Sequence, residues 1–541
     1  MGKAVLKKLV IVCIAVLAGP ALVPAEVSPT YALVKCRIVP VTGPPVETGV
    51  IVVRDGLIDS IGSIGIIKIP DDAEVIEAEG LTAYPGLISA QTSLFIEPAR
   101  AERPAAGPDE APVAEKPAPN PGLEAFGLLK PKKTALESYH RLGITTVLAA
   151  AESGIFSGRS VLLNLNGEAA GPMVVKNPVA LHIRLVTERG AYPSSLMGTM
   201  AFLRQSFLDA LHYSAHQSRF SEVGKGLKRP EYSPFLEALV PYAVEKKPVI
   251  IHCANQEDIK RALHLRDEFK LQVLLGGATE AWRVAGLLKK SRVPLLVSLD
   301  FRPPLSSEYA QKGEEERKKA EAEIYPANAG ALHEAGIPFA LTSQGLSDPA
   351  AILKNIRAAI KAGLPAEKAL EAMTIVPARF LGVDSALGSL ESGKIANIVL
   401  ARGELFAEKT EVEKVFVDGL LFPVEKKAAA APSGTPAAVN LSGTWKATVR
   451  SPMGDMEMTM ELEQEGNRVQ GFLRSEMGRW EIQDGVLSAD ALTFTISATI
   501  MGQAMDMAFS GRVEKDSLEG TISTAMGNAE LRATRSPGDW S

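Results

Sequence analysis

Short runs of apolar residues, broken by turn-forming residues, dominate the start of this chain. Gly49-Val50-Ile51-Val52-Val53 and Leu57-Ile58-Asp59-Ser60-Ile61-Gly62 are β-branched runs, and Arg54-Asp55-Gly56 between them carries the Asp-Gly signal of a tight hairpin. Residues 26–85 therefore read as all-β. From about 131 to 380 the pattern changes and helical and strand periods alternate. Thr134–Leu142 reads as helix and Ile144–Ala149 as strand. Val179–Ile183 is a further strand, and Leu196–His212 a long amphipathic helix with Met200, Leu203, Phe207, Leu208 and Leu211 at helical spacing. Val249-Ile250-Ile251 is a buried strand, followed by a helix from about Gln256 to Phe269. Val273–Leu275, Pro294–Val297 and Pro338–Leu341 supply later strands, and Ala350–Lys361 and Ala366–Ala372 later helices. Alternation of this kind predicts a parallel barrel with outer helices, an α/β TIM (β/α)8 fold.

The remaining segments set the boundaries. Lys3, Lys7 and Lys8 precede the apolar run Leu9–Ala18, and Val23-Pro24-Ala25 suits a leader peptidase, so residues 1–25 read as a signal peptide. The expected location is the bacterial periplasm or the exterior, with no integral membrane segment after cleavage. Residues 101–122, rich in Pro, Ala and Glu, read as a flexible insertion in the barrel. Residues 426–439, KKAAAAPSGTPAAV, read as a linker. Beyond it, residues 440–541 form a separate all-β module, with turn signals at Gly454-Asp455, Gly466-Asn467, Asp484-Gly485 and Gly527-Asn528. Spaced short strands predict a small barrel or sandwich.

Charge narrows the partners. Removing Lys3, Lys7 and Lys8 with the leader takes the formal net charge from −5 to −8, which argues against nucleic acid. Cys36 and Cys253 remain in the mature chain and read as two separate buried thiols.

Several phrases carry a family likeness. Ala83–Ser93, AYPGLISAQTS, resembles the start of the barrel in the amidohydrolase superfamily, in its imidazolonepropionase-like branch, where the phrase is PGLIDAHTH. ETGVIVVRDGLIDSIG resembles the first half of the small β-sandwich that flanks such barrels. Gly388–Leu400, GSLESGKIANIVL, and Val415–Gly419, VFVDG, resemble its second half. The run from Ala366 to Arg379 resembles the helix leading back to that sandwich. The resemblance implies a composite sandwich from 26–85 and 381–425 around a barrel of residues 86–380. The Ser442-Gly443-Thr444-Trp445 opening makes the terminal module lipocalin-like.

The resemblance also says where a metal would sit, at the carboxyl ends of the strands. The two histidines of the first strand are replaced by Gln91 and Ser93. His252 matches the histidine ending the fifth strand. The sixth strand ends Leu275-Gly276-Gly277 where another histidine is usual, and Gln344 stands for the aspartate of the eighth. A catalytic zinc takes three protein ligands and a water, and His252 is the one matched ligand. No cofactor is expected, a zinc-like divalent metal being required if the chain is active. Neutral replacements are what the physics favours, because a buried aspartate without its metal carries a large desolvation cost.

Other constellations are open. His252, Asp300 and Glu280 fall near strand ends on one side and are the candidate catalytic set, against a plain reading as one core histidine and two loop carboxylates. His252 and Cys253 cannot act together, since adjacent strand residues face opposite ways. His182 lies on a strand and could face the interior. Nine of the fourteen methionines follow residue 450, with Met456, Met458 and Met460 on one strand face and Met505 and Met507 on another. These read as an adaptable apolar interior ahead of a Cu(I) site. Two functions follow. One is a hydrolase of C–N bonds in cyclic amide-like substrates, with its metal centre lost. The other is a non-catalytic ligand binder using the barrel mouth and the methionine-rich module. Either way the partner is a small molecule.

Overall fold

The computed structural model describes residues 29–97, 120–187, 192–301, 324–346, 348–424 and, apart from positions 452–453, 466, 476–477, 489, 501–502 and 525–526, 440–535. The signal peptide, most of the 101–122 insertion and the 426–439 linker lie outside the described residues. The chain divides into two units, one up to Val424 and one from Glu425. Among the described residues, no helix is long and apolar enough to cross a membrane.

Strands from both ends of the first unit meet in one sheet. The early strands are β1 (Tyr31–Ile38), β2 (Val46–Arg54), β3 (Leu57–Ser63), β4 (Glu74–Glu77) and β5 (Thr82–Pro85). The late ones are β16 (Ile398–Arg402), β17 (Glu411–Val417) and β18 (Leu420–Pro423). Their order is β18-β17-β16-β5-β1-β2-β3, with β4 beside β1. The halves join where β5 runs antiparallel to β16, from Ile398 opposite Pro85 to Ala401 opposite Thr82. Strands of the two halves thus pair in one eight-stranded sheet, where the sequence predicted a sandwich.

Two turns, more than 350 residues apart, lock this sheet. Asp55 and Gly56, at φ 51° and 79°, close the β2–β3 hairpin, and Asp418 and Gly419, at φ 50° and 74°, close β17–β18. Both take left-handed backbone, which glycine adopts at no steric cost. The turns nest: a Cβ on Gly419 would lie 2.7 Å from Gly56 Cα. Asp418 also ties the sheet to the barrel. Its carboxylate accepts from Asn164 Nδ2 at 2.6 Å and Asn166 Nδ2 at 2.7 Å, and its amide donates to Asn397 Oδ1 at 2.9 Å.

The barrel strands are β6 (Leu87–Thr92), β7 (Ile144–Ala149), β8 (Phe156–Arg159), β9 (Val161–Asn164), β11 (Leu181–Arg184), β12 (Pro248–Cys253), β13 (Gln272–Gly277), β14 (Leu295–Ser298) and β15 (Phe339–Thr342), with β10 (Val174–Lys176) beside β9. From β11 to β15 neighbours are parallel, as are β6 and β7. The third position departs from the expected eight parallel strands. There β8 and β9 form one bent run through Ser160, antiparallel to β11 on one side and β7 on the other. Only the residues between Ala149 and Phe156 connect β7 to this run. That is too short for a crossover helix, which needs a dozen residues or more, so the chain turns straight back.

Alternation along each strand separates two cores. Ile88, Ala90, Leu148, Leu162, Ala180, Ile250, Leu274, Leu296 and Ala340 fill the barrel. Leu181, Val249, Ile251, Cys253, Leu275, Leu295 and Leu341 face the outer helices. Two of those helices are capped as their sequences demand. Leu196–Val223 has Ser195 accepting from Gly198 N and Gly224 in the left-handed region after its end. Gln256–Phe269 has Asn255 accepting from Asp258 N. Cys36 and Cys253 are both buried and free.

The second unit is a closed barrel of eight antiparallel strands, β19 (Gly443–Ser451), β20 (Gly454–Glu465), β21 (Arg468–Ser475), β22 (Gly478–Ser488), β23 (Ala491–Ile500), β24 (Gln503–Glu514), β25 (Ser517–Thr524) and β26 (Gly527–Arg535). Closure removes the exposed sheet edges. Trp445 is fully buried and donates Nε1–H to the Leu441 carbonyl at 2.9 Å, with the Arg535 guanidinium 4.9 Å from its ring centre. Met460 is buried, and Met458 and Met507 pack against the same core. These methionines serve packing.

The Asp418 tie yields a prediction. Asp418→Ala removes the acceptor of two carboxamides and should destabilise the first unit by about 2–4 kcal/mol, since buried donors left unpaired cost about 1–3 kcal/mol each. Asp55→Asn keeps a residue suited to the other turn and should melt within about a degree of the natural protein. Equal melting of the Asp418→Ala and natural proteins would show that the tie contributes nothing.

Candidate functional site at the barrel mouth

Four side chains meet where the strands end. His252 stands on β12 opposite Gly276 of β13, and Arg184 of β11 is its partner on the other side. His182 lies one layer deeper on β11, opposite Ile250. Gln91 comes from the end of β6 and Gln344 from just beyond β15. The strand alternation that fills the barrel with Ala180 and Ile250 also points His182 and His252 inward.

The hydrogen bonds among them are closed on themselves. Gln91 Nε2 lies 3.0 Å and Gln344 Nε2 2.9 Å from His252 Nδ1. His252 Nε2 lies 3.0 Å from His182 Nδ1. With both amides donating, His252 Nδ1 is an acceptor, its proton sits on Nε2, and it donates to His182. His182 then carries its own proton on Nε2. That nitrogen and the carboxamide oxygens of Gln91 and Gln344 are buried without a hydrogen-bond partner. Around this centre lies a cavity of about 520 Å³, lined among others by Arg184, His252, Asp258, Thr279, Ser298, Asp300 and Gln344.

A divalent metal does not fit this set. Both nitrogens of His252 are engaged inside the protein, and the remaining donors are a second imidazole and two neutral carboxamides. Among the described residues, no three His, Cys, Asp or Glu side chains are grouped to hold a metal ion. At Gly276, where a further ligand would stand, an added Cβ would lie 3.1 Å from Gln91 Oε1. The carboxamide has taken the place a larger side chain would need.

The other sequence candidates separate. Ser93 is exposed and lies outside the cluster, because the chain leaves the barrel in a turn after Thr92. Its pairing with Gln91 as a barrel-centre position is corrected accordingly. Glu280 Oε2 accepts from Gln256 N at 3.0 Å, holding the start of a helix, and Oε1 accepts from Tyr325 at 3.4 Å. It is absent from the cavity wall and has a structural role. Asp300 does line the cavity, with its amide donating to Ser298 Oγ at 2.9 Å. His252 and Asp300 thus share the cavity wall, and Glu280 does not join them. Cys253 faces the outer core, and burial pushes its thiol well above the ordinary range. The sequence reading undervalued His182 and passed over Arg184. The available signal was the spacing Ala180, His182, Arg184, which puts all three on one face of a strand.

Burial sets the charge state. It lowers His182 to about 3 and holds His252 well below the ordinary histidine range, where His182 and Arg184 act in the same direction. An unfolded histidine titrates near 6.5. Between that value and about 3, the unfolded chain takes up protons that the folded chain refuses. Stability is therefore whole above pH 6.5 and falls on acidification, by about 1.4 kcal/mol per pH unit for each such histidine. His182→Gln should shallow this decline between pH 6.5 and 4 by one histidine's share in pH-dependent urea unfolding. An unchanged slope would mean His182 is not buried in neutral form.

Residues 235–421 match the amidohydrolase family. No curated protein matches the chain. Among solved structures, an amidohydrolase from Thermotoga maritima MSB8 aligns with a TM-score of 0.61 at 23% identity, over 73% of this chain and 100% of that one. A Xaa-Pro dipeptidase with bound methionine in its active site aligns at 0.44 and 16%, over 73% and 100%. A. niger ochratoxinase aligns at 0.43 and 14%, over 74% and 96%. The amidohydrolase family model thus matches residues 235–421, and the fold that this chain shares with the Thermotoga protein is TIM-barrel-like.

Proposed function

We propose that this chain is a barrel of the C–N hydrolase kind that takes a small, cyclic amide-like molecule at its mouth, and that its usual metal centre is lost. The amidohydrolase match supports the hydrolase kind. The observation that carries the metal-free reading is the commitment of both His252 nitrogens to Gln91, Gln344 and His182. We place the chain nearest the imidazolonepropionase-like branch on the Ala83–Ser93 phrase, in the periplasm or outside the cell on the pattern of residues 1–25, and give the terminal barrel a lipocalin-like ligand-binding role.

Turnover without a metal has to rely on the cavity wall. Asp300 is a carboxylate there, able in principle to take a proton from water, and general-base help of this type contributes typically 10²–10⁴-fold. That falls far short of the enhancement that hydrolases usually reach. The second reading, binding without turnover, draws on the same neutral centre.

The test is metal analysis of the purified full chain, with hydrolysis of a panel of cyclic amides measured with and without chelator. We expect under a tenth of an equivalent of zinc, manganese or iron. Gln91→His with Gln344→Asp should raise zinc affinity at least tenfold, because two imidazoles would then be joined by a third and a carboxylate. Stoichiometric metal in the natural protein with chelator-sensitive hydrolysis would overturn the metal-free reading. Saturable binding with no turnover would put the second reading first.

A further inference from the structure

A second cavity, of about 590 Å³, opens between the composite sheet and the late helices of the barrel, and it shares no lining residue with the barrel mouth. Its walls come from β1 and the loop after it, from β5, from the helices Ala350–Lys361 and Ala366–Ala372, and from the loop after β16. Val39, Leu370 and Phe406 give it apolar sides. The small residues Ala366 and Ala407 are exposed at its rim and leave the entrance open. Apolar walls with a few placed polar groups are the usual form of a small-molecule site. Val41, also in the wall, has φ 75°, a conformation that β-branched residues rarely take and that costs about 1–3 kcal/mol. The next residue anchors this strained loop, Thr42 Oγ1 donating to Glu391 Oε1 at 2.7 Å.

The charges at this cavity can be accounted for one by one. Arg37 is its one lining cation, and two carboxylates already hold it: Nη1 donates to Glu404 Oε1 at 3.1 Å and Nε to Glu47 Oε1 at 3.4 Å. The buried Tyr84 donates its hydroxyl to Glu404 Oε2 at 3.2 Å. Glu371, in the wall, accepts from Lys368 Nζ at 2.8 Å. Glu367, exposed at the rim, has no hydrogen-bond or ion-pair partner among the described residues. The four carboxylates of this set outnumber its two cations, and the surplus lies at the entrance.

We propose that this cavity is a second binding site, for a small apolar molecule bearing one amine, with the apolar body against Leu370 and Phe406 and the ammonium beside Glu367 at the rim. The site is independent of what the barrel mouth takes. Burial of apolar surface supplies most of the affinity, at about 25 cal/mol per Å². An ammonium at the rim keeps part of its hydration, so the charge costs little there and gains the attraction of an unpaired carboxylate. A carboxylate on the same body would meet the surplus of like charge, and Arg37 is already held by Glu47 and Glu404.

The experiment uses three indole probes that differ in charge, tryptamine, tryptophol and indoleacetate, titrated calorimetrically into the full chain at low salt. Tryptamine should bind at least about fivefold tighter than tryptophol, and indoleacetate should not bind measurably. Glu367→Gln should weaken tryptamine at least about threefold and leave tryptophol unchanged. Ala366→Trp and Ala407→Trp, both at exposed positions and each shown folded by circular dichroism, place an indole in the entrance. Each should weaken tryptamine and tryptophol at least about tenfold. Tryptophol or indoleacetate binding as tightly as tryptamine would overturn the proposal. Tryptamine affinity unchanged in Glu367→Gln would overturn it as well. Affinity unchanged in both tryptophan variants would place the binding elsewhere, the barrel mouth included, and overturn it too. So would the absence of heat from tryptamine at millimolar concentration.

Discussion

The strand ends of the barrel converge on one buried volume, where a polar group costs free energy unless it finds a partner. That constraint governs the site. An isolated ionised carboxylate in such a place carries a penalty of several kcal/mol. A metal ion removes the penalty by supplying opposite charge. Without one, the low-cost solution is a set of neutral groups that bond to each other. Gln91, His182, His252 and Gln344 are that set, joined at 2.9–3.0 Å. The lowered affinity of both imidazoles for protons belongs to the same logic, since a charge on either would be as costly as a bare carboxylate.

The scaffold that holds these strand ends in place is assembled from distant parts of the chain. β5 and β16 pair across the first unit, and the turns at Asp55-Gly56 and Asp418-Gly419 press backbone on backbone. Asp418 then reaches Asn164 at the end of the bent third strand and Asn166 just beyond it. Asn397 joins in by donating to Thr146 Oγ1 at 3.1 Å and Asn164 Oδ1 at 3.0 Å. The short antiparallel run is therefore held from the side opposite the mouth. Its reversed direction does not weaken the barrel, because Leu162 still points in and Phe156, Val161 and Leu163 point out.

Much of this was legible in the sequence, for identifiable reasons. Alternation alone separates His252 from Cys253. The Asp-Gly pairs mark both nested turns because only a few residues tolerate left-handed backbone. Gln91 and Gln344 were found through their neighbours in a family phrase, which fixes strand register. Ser93 failed because the same phrase says nothing about where the chain leaves the strand. Glu280 failed because a carboxylate near a strand end can equally hold a helix start, as its bond to Gln256 N does. The reversed third strand was hidden in principle. A buried strand has the same apolar pattern in either direction, and only the short connection before it carries the sign.

One further property ties the centre to the fold. No backbone ladder joins β6 to β15 among the described residues; side chains close that seam. Thr342 Oγ1 donates to the Gln91 carbonyl at 2.7 Å, Ser343 N donates to Ser89 Oγ at 3.2 Å, and the Ser89 and Ser343 hydroxyls meet at 2.8 Å. Gln91 and Gln344 flank this same seam and both reach His252, on a strand across the barrel. The carboxamides thus bind the two sides of the seam to β12, a structural duty that a shared metal ion would otherwise perform. The imidazole of His252 is thus the common partner of these strand ends, and it holds the mouth in shape around the cavity.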